Sequence, residues 1–436
     1  MNPAQQSNRR DFLKTTSAAA IATAAIPSTV HAGTRPTRSP NDRIRIAVVG
    51  TGGRGTGATR DNLVANGNTE LVAVADLHRD KAVAQLKHLK GNKQFGDRVM
   101  VADKDIYGGL EGLDKVLERE DVDLVLLTTP PGFRPEYIKK AVAAGKHIFA
   151  EKPVCVDPAG YRICCEAHDA AKAQGTAIVT GTQYRRQTSF KETIDKLHKG
   201  VIGDIIAMTA RYCSSGIWYR KRKPDMTDME YQIHNWMHFV WLSGDQIAEQ
   251  AVHNIDAMNW VMQGPPEKCY ASGGRFYRPA DSEMWDTMSI DYQYPGKKLV
   301  SFKCRQLAGT HGSNDNVIYC QGGTALIKSF SGTATITDAD GKTISKIKGN
   351  IGAAYKQEHK DLVDSIVAGK PIVELRQTAE SSLTAIMGRM SAYTGKRVDW
   401  TFAAEKSKLD LYPQNLTLAT PIQSPGYALP GKTKLI

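Results

Sequence analysis

Ile44-Arg45-Ile46-Ala47-Val48-Val49-Gly50-Thr51-Gly52-Gly53-Arg54-Gly55 is the stretch on which the reading of this chain turns. Its first six residues form a short apolar run of the kind that makes a buried parallel strand. The next six spell G-x-G-x-x-G. Residues 56–65 then predict a helix, and residues 70–75 a second strand ending at Asp76. A lone G-x-G-x-x-G decides little, because glycine turns are common. With a strand before it, a helix after it and an acidic residue at the end of the next strand, it reads as a dinucleotide-binding unit. Gly50, Gly52, Gly53 and Gly55, with Arg54 among them, would let backbone approach a pyrophosphate at the positive end of the helix. Asp76 would accept hydrogen bonds from the adenosine ribose hydroxyls. Its charge disfavours a 2′-phosphate, so NAD is the expected cofactor; Arg79 and Arg54 stand close enough in sequence to leave NADP open.

Outward from this unit the alternation continues. Residues 113–118, 135–144 and 161–174 predict helices, and residues 124–129, 147–150 and 177–180 predict strands. Strands and helices in strict alternation with short connections make a doubly wound parallel sheet, so residues 43–180 are expected to form a Rossmann domain. From residue 205 the pattern changes. Residues 205–212, 287–294, 298–305, 317–321, 325–330 and 333–338 alternate or carry β-branched side chains, with Pro295-Gly296 and Asp340-Gly341 as turns. Helices are expected over 355–368 and 378–393. A second α+β domain on a mainly antiparallel open sheet therefore spans 181–402, followed by a Pro-rich, irregular tail over 403–436.

Composition agrees with a folded chain. Of 436 residues, 41% are hydrophobic and 23% charged, which excludes a disordered or collagen-like polymer. No apolar run past the N-terminus approaches the roughly 18 residues that cross a bilayer. The opening residues have another reading. Asn8-Arg9-Arg10-Asp11-Phe12-Leu13-Lys14, an Ala-rich run and Val30-His31-Ala32 predict a twin-arginine export signal over 1–32, a linker over 33–42 and a periplasmic, membrane-free mature protein. The formal charge of +12 comes from scattered basic residues. The densest run, Arg220-Lys221-Arg222-Lys223, leads directly into Asp225, Asp228 and Glu230. A solvated basic face is expected rather than a nucleic-acid partner, with an acidic glycan as the weaker reading. The seven cysteines show no C-x-x-C and read mostly as buried thiols. His234 and His238 have helical spacing but no accompanying ligand pattern, so no metal is expected.

Two further segments carry chemistry. Glu151-Lys152-Pro153 follows a predicted strand, at the rim where a cofactor would lie, and a lysine there can donate to a substrate oxygen. Glu249, His253 and Asp256 are spaced to share one face of a helix, where a histidine can take a hydroxyl proton while flanking carboxylates orient it. Taken alone, each has a bland reading, a solvated lysine and a structural polar cluster.

Together with Gly50 to Gly55, Thr129-Pro130, Gly181-Thr182-Gln183-Tyr184-Arg185 and Gly388-Arg389 through Tyr393-Thr394-Gly395-Lys396, these residues resemble the Gfo/Idh/MocA oxidoreductases, and the likeness covers most of the chain after residue 32. The resemblance implies a site between the two domains and a second sheet used for oligomerisation, as a homodimer or tetramer. It implies that Lys152 and His253 are catalytic, with Glu249 and Asp256 assisting. Thr129, Pro130, Glu151 and Gln183 would lie near the nicotinamide half of the cofactor. Two departures stand out. Glu249 occupies a position where the family often has Asp, and Arg134 and Pro131 replace a usual His and Asn.

The function this implies is hydride transfer between a tightly held nicotinamide cofactor and a sugar, sugar derivative or cyclitol. The alternative is a redox-neutral NAD-dependent glycosidase or lyase working through a transient keto-sugar, although those relatives lack the Glu-Lys-Pro tripeptide. A non-catalytic sugar sensor ranks third. The stretch from Trp218 to Trp236, aromatic among basic residues, either shapes a carbohydrate site or is a packed insertion or subunit contact.

Overall fold

The computed structural model describes residues 42–436; the predicted export signal, and the linker up to residue 41, lie outside the described residues. Six parallel strands form the first sheet: β1 (Ile44–Val49), β2 (Thr69–Asp76), β3 (Ile106–Gly108), β4 (Leu124–Leu127), β5 (His147–Ala150) and β6 (Ile178–Thr180). Their spatial order is β3-β2-β1-β4-β5-β6. The order reverses beside β1, so the carboxyl ends of β1 and β4 open a crevice at the switch point. β1 shows why a run that is apolar but for Arg45, whose charge is met by Asp123, was needed. Ile44, Ile46 and Val48 point into one core, and Ala47 and Val49 into another on the opposite face. Each fully buried Ile or Val contributes roughly 1.5–3 kcal/mol, so one charge placed on either face would outweigh several neighbours.

The second sheet has nine strands: β7 (Ile205–Ser214), β8 (Lys268–Gly274), β9 (Thr287–Tyr294), β10 (Lys298–Gln306), β11 (Asp315–Cys320), β12 (Gly323–Lys328), β13 (Thr333–Asp338), β14 (Thr343–Lys348) and β15 (Val398–Asp399). Only β7 and β10 pair in parallel; the other pairings are antiparallel. One face is covered by the helices Thr188–His198, Val252–Met262 and Leu375–Thr394. The other carries exposed Ile206, Tyr270, Leu299 and Tyr319.

Several elements depart from the sequence expectation. The strand predicted over 325–330 ends at Lys328, so Phe330 stands in the following turn, 60% exposed. β14, Thr-Ile-Ser-Lys-Ile-Lys, escaped prediction because it is a sheet edge whose lysines guard unpaired backbone rather than advertise a strand. The helices Arg79–Lys90 and Thr188–His198 were also missed.

The spacing of Glu249, His253 and Asp256 predicted one continuous helix face, and the structure corrects this. A short helix, Asp245–Glu249, stops at Glu249, and a second starts at Val252. Between them the Ala251 N–H reaches back five residues to the Gln246 carbonyl (3.0 Å), a kink that turns Glu249 away from the axis of the second helix. All seven cysteines are free, five of them buried. Among the described residues no helix is long and apolar enough to cross a membrane.

Candidate active site

The carboxyl ends of the first sheet and the facing second domain enclose a cavity of about 450 Å³. Gly50, Gly52, Gly53, Arg54, Gly55, Asp76, Thr129, Pro130, Glu151, Lys152, Gln183, Glu249 and His253 all line it. Asp256 does not.

The glycines divide by role. Gly50 has φ +93°, and a Cβ there would stand 2.8 Å from the Thr129 nitrogen. A Cβ on Gly55 would meet the Gly50 carbonyl at 1.9 Å, so this glycine lets the helix pack against the strand end. Gly53 has nothing within 4 Å of an added Cβ, and Gly52 only the Lys81 Nζ at 3.9 Å. The loop is therefore tight behind and open in front. Gly52 caps the helix Gly53–Ala65 without any side-chain acceptor, which leaves first-turn N–H groups to serve an anion.

Asp76 Oδ2 accepts from the Thr51 backbone (2.7 Å) and hydroxyl (2.9 Å), while Oδ1 accepts only the His78 N–H at 3.2 Å. A carboxylate oxygen has two lone-pair sites, so Oδ1 retains capacity for a hydroxyl. Neither arginine expected to offset this charge does so. Arg54 is bound by Glu151, Asp61 and Glu358, and Arg79 by Asp103. The nearby cation is Lys81, 3.7 Å from Asp76. At the other end Thr129 Oγ1 and Gln183 Oε1 are buried with no protein partner. A tight glycine turn, an open cradle, an acidic strand end and two orphaned polar atoms fit a dinucleotide with a carboxamide-bearing ring.

Beyond them stand Lys152 and His253. The Lys152 ammonium donates to the Glu249 backbone carbonyl and, at 2.9 Å, to Glu249 Oε1. That carbonyl ends the short helix and carries its negative pole, so the kink at Gln250–Ala251 presents two acceptors to one lysine. Two ammonium hydrogens are thus used and one remains. Glu249 is held in turn: Gln250 donates to its Oε2, and the Tyr212 hydroxyl donates to Gln250 Oε1 at 2.8 Å. Burial, reinforced by the cations Lys152 and Arg54, pushes the His253 imidazole well below its ordinary pKa, so the ring is neutral. Its Nδ1 is buried without a partner. Neither flanking carboxylate orients it. Asp256 instead accepts from Arg185 Nε and Nη2, each at 2.8 Å, and from the Ser381 hydroxyl at 2.8 Å.

Arg134, at the position where the resembling family carries histidine, lines the cavity and is held by backbone carbonyls. Buried, it donates to the Thr129 and Pro153 carbonyls and clips the loop after β4 to the loop after β5; burial lowers it to about 10. Tyr212, Gln250, Phe330 and Tyr355 also line the cavity and were not picked out in sequence, because they come from four distant segments. Of the 218–236 stretch, Ile233 and Trp236 reach the cavity wall. His234 and His238 do not form a metal set, since His238 is taken up by Ser282 and the Trp218 carbonyl.

Comparison with known proteins agrees with this geometry. Residues 44–181 match the family described as an oxidoreductase family with an NAD-binding Rossmann fold, and residues 190–326 match the GFO/IDH/MocA C-terminal domain. A dTDP-3,4-didehydro-2,6-dideoxy-alpha-D-glucose 3-reductase of Actinomadura kijaniata is 30% identical over 172 residues, 39% of this chain and 45% of that protein. An inositol 2-dehydrogenase of Gluconacetobacter diazotrophicus is 26% identical over 212 residues, 48% of this chain and 57% of that protein. The chain thus spans about half the length of these two relatives. The aldose-aldose oxidoreductase of Caulobacter crescentus, solved with glycerol, superposes with a TM-score of 0.63 at 17% identity, over 82% of this chain and 99% of that one, a likeness of fold.

Proposed function

Since the chain belongs to the Gfo/Idh/MocA oxidoreductases, we propose that it moves hydride between a bound NAD and a hydroxyl or carbonyl of a sugar, sugar derivative or cyclitol. The observation that carries this reading is the meeting of Lys152 and His253 in the cavity that holds the glycine loop. Bound NAD supplies the hydride acceptor. Gly50 to Gly55 would hold its phosphates, Asp76 its adenosine ribose, and Thr129 and Gln183 its nicotinamide end.

The chain's own groups handle the proton. With its third hydrogen Lys152 polarises the substrate oxygen, and Glu249, which ties down the other two, aims it. His253, held neutral by burial, takes the hydroxyl proton as the carbon is oxidised and returns it in the reverse direction. Asp256 acts at one remove, fixing the helix that carries His253 through Arg185 and Ser381. The intact Glu151-Lys152-Pro153 argues against the redox-neutral glycosidase.

NAD rather than NADP is supported by Asp76, whose charge disfavours a 2′-phosphate; Arg54 and Arg79 are paired elsewhere, and the cation beside Asp76 is Lys81, at 3.7 Å. The twin-arginine motif at Arg9-Arg10 supports export to the periplasm, tested by following a reporter fusion before and after replacing both with lysine. Ile206, Leu299 and Tyr319 on the uncovered face of the second sheet support a homodimer or tetramer, to be read by analytical ultracentrifugation. The decisive experiment denatures the purified protein, identifies any nucleotide released, and screens neutral sugars and cyclitols for a change in its absorbance. A protein that carries no nicotinamide nucleotide and binds none when offered it would overturn the reading.

A further inference from the structure

The stretch around Asp228–His234 belongs in sequence to the second domain, yet it builds a core with the first. Met229, Tyr231, Phe239, Trp241 and Leu242 cluster with Phe133, and Leu110, Tyr137, Ile233 and Trp236 pack against them. The approach is close: a Cβ on Gly132 would fall 2.2 Å from the Trp241 carbonyl. From this core Ile233 and Trp236 face the cavity that also contains Gly52, Asp76, Lys81 and Leu110. Asp76, Leu77 and Lys81, at and just past the end of β2, line the same cavity, so this segment shares a wall with the adenosine side.

A third part of the chain fastens it. Leu411, Tyr412, Leu416, Leu418 and Ile422, from the irregular tail, pack on the same cluster, with the Tyr412 ring edge-on to Phe133 at 6.4 Å. Gln232 Nε2 donates to the Ile422 carbonyl at 2.8 Å, and the Ser424 hydroxyl to Glu283 Oε1 at 2.6 Å. The tail is anchored at its start where the Leu411 N–H meets Asp157 Oδ2 at 2.8 Å. Lifting Ile233 and Trp236 from the cleft would expose this shared apolar core as well, so the opening step costs more than the two side chains alone.

We propose that the segment from Asp228 to Trp236, strapped down by the carboxy-terminal tail, is the outer wall of the nucleotide cleft and slows release of the dinucleotide. The inference rests on the reading that this cavity takes a dinucleotide. It also gives the tail a task that suits an enzyme working where free cofactor is scarce.

The test measures NADH release from the full chain by fluorescence after a chase with excess NAD. Trp236→Ala, and separately the pair Leu416→Asp with Ile422→Asp, should each speed release roughly tenfold or more, equivalent to about 1.4 kcal/mol. Circular dichroism and melting establish that each variant is folded. Release rates of folded variants within twofold of the parent would overturn the proposal. Hydrogen exchange on the unmodified protein gives a second reading that needs no variant. Loading with NADH should slow exchange over residues 228–242, and unchanged exchange there would also overturn it. If the unmodified protein binds no NADH, the cofactor reading fails first; if it binds NADH and release ignores the strap, only this inference fails.

Discussion

His359 offers a prediction whose size can be worked from its surroundings. It is fully buried in the helix Ile351–Val367, its ring 4.1 Å from that of Phe149, and neither ring nitrogen has a partner. Burial, with Arg54 and Arg186 nearby, pushes its pKa well below the ordinary 6.5, so the native ring is neutral where an unfolded one would take a proton. The sign follows from linkage: the unfolded chain binds more protons below about pH 6.5, so the stability this residue confers is complete above that pH and declines as pH falls. At about 1.36 kcal/mol per pH unit, lowering the pH from about 6.5 to about 5 costs at most roughly 2 kcal/mol, the limit in which the native ring takes up no proton. His359→Phe keeps a ring beside Phe149 and removes both the proton and two unsatisfied nitrogens. For a chain of this length 2 kcal/mol is about 2–3 °C in Tm. The parent should therefore lose up to that much more than the variant between pH 7.5 and pH 5, read as a difference of differences so that titrations common to both cancel. Equal losses would mean that native His359 accepts a proton, and the argument from burial would be wrong.

Other outcomes are expected at the site. Gly55→Ala, whose methyl group would meet the Gly50 carbonyl at 1.9 Å, should destabilise the fold by several degrees or prevent expression, whereas Gly53→Ala should melt no lower than the parent and bind NAD more weakly in calorimetry. Lys152→Met and His253→Ala should each lower kcat by roughly 10²–10⁴ with the protein still folded. The acid limb of the parent's rate profile should lie well below pH 6.5, because burial keeps His253 neutral above it. Asp256→Asn removes the charge that faces the partly buried Arg185 and should lower stability in denaturation while changing kcat far less than the Lys152 and His253 variants.

The first domain was legible because its signals are local. A parallel strand buried on both faces is apolar at nearly every position, and a glycine turn lets backbone approach a phosphate at the helix start, so β1 and Gly50 to Gly55 announce themselves within a dozen residues. Lys152 and His253 were legible as residue types beside a motif. Their arrangement was not. Whether Glu249 serves His253 or Lys152 depends on a kink at Gln250–Ala251 that leaves the helical spacing looking continuous, and Asp256 has the right interval yet faces Arg185.

By itself the sequence determined the alternation of strand and helix, the glycine cradle and the acidic end of β2, since each follows from short-range sterics or from side-chain chemistry; Lys152 and His253 stood out through the family resemblance. Tertiary structure alone decided which carboxylate meets which cation, that Arg134 joins the loops after β4 and β5 and Arg54 belongs to Glu151 and Glu358, and that the tail packs on the same apolar cluster as Ile233 and Trp236. Those outcomes are set by which segments, hundreds of residues apart, are brought into one low-dielectric core, where every charge must find a partner and every apolar face a cover.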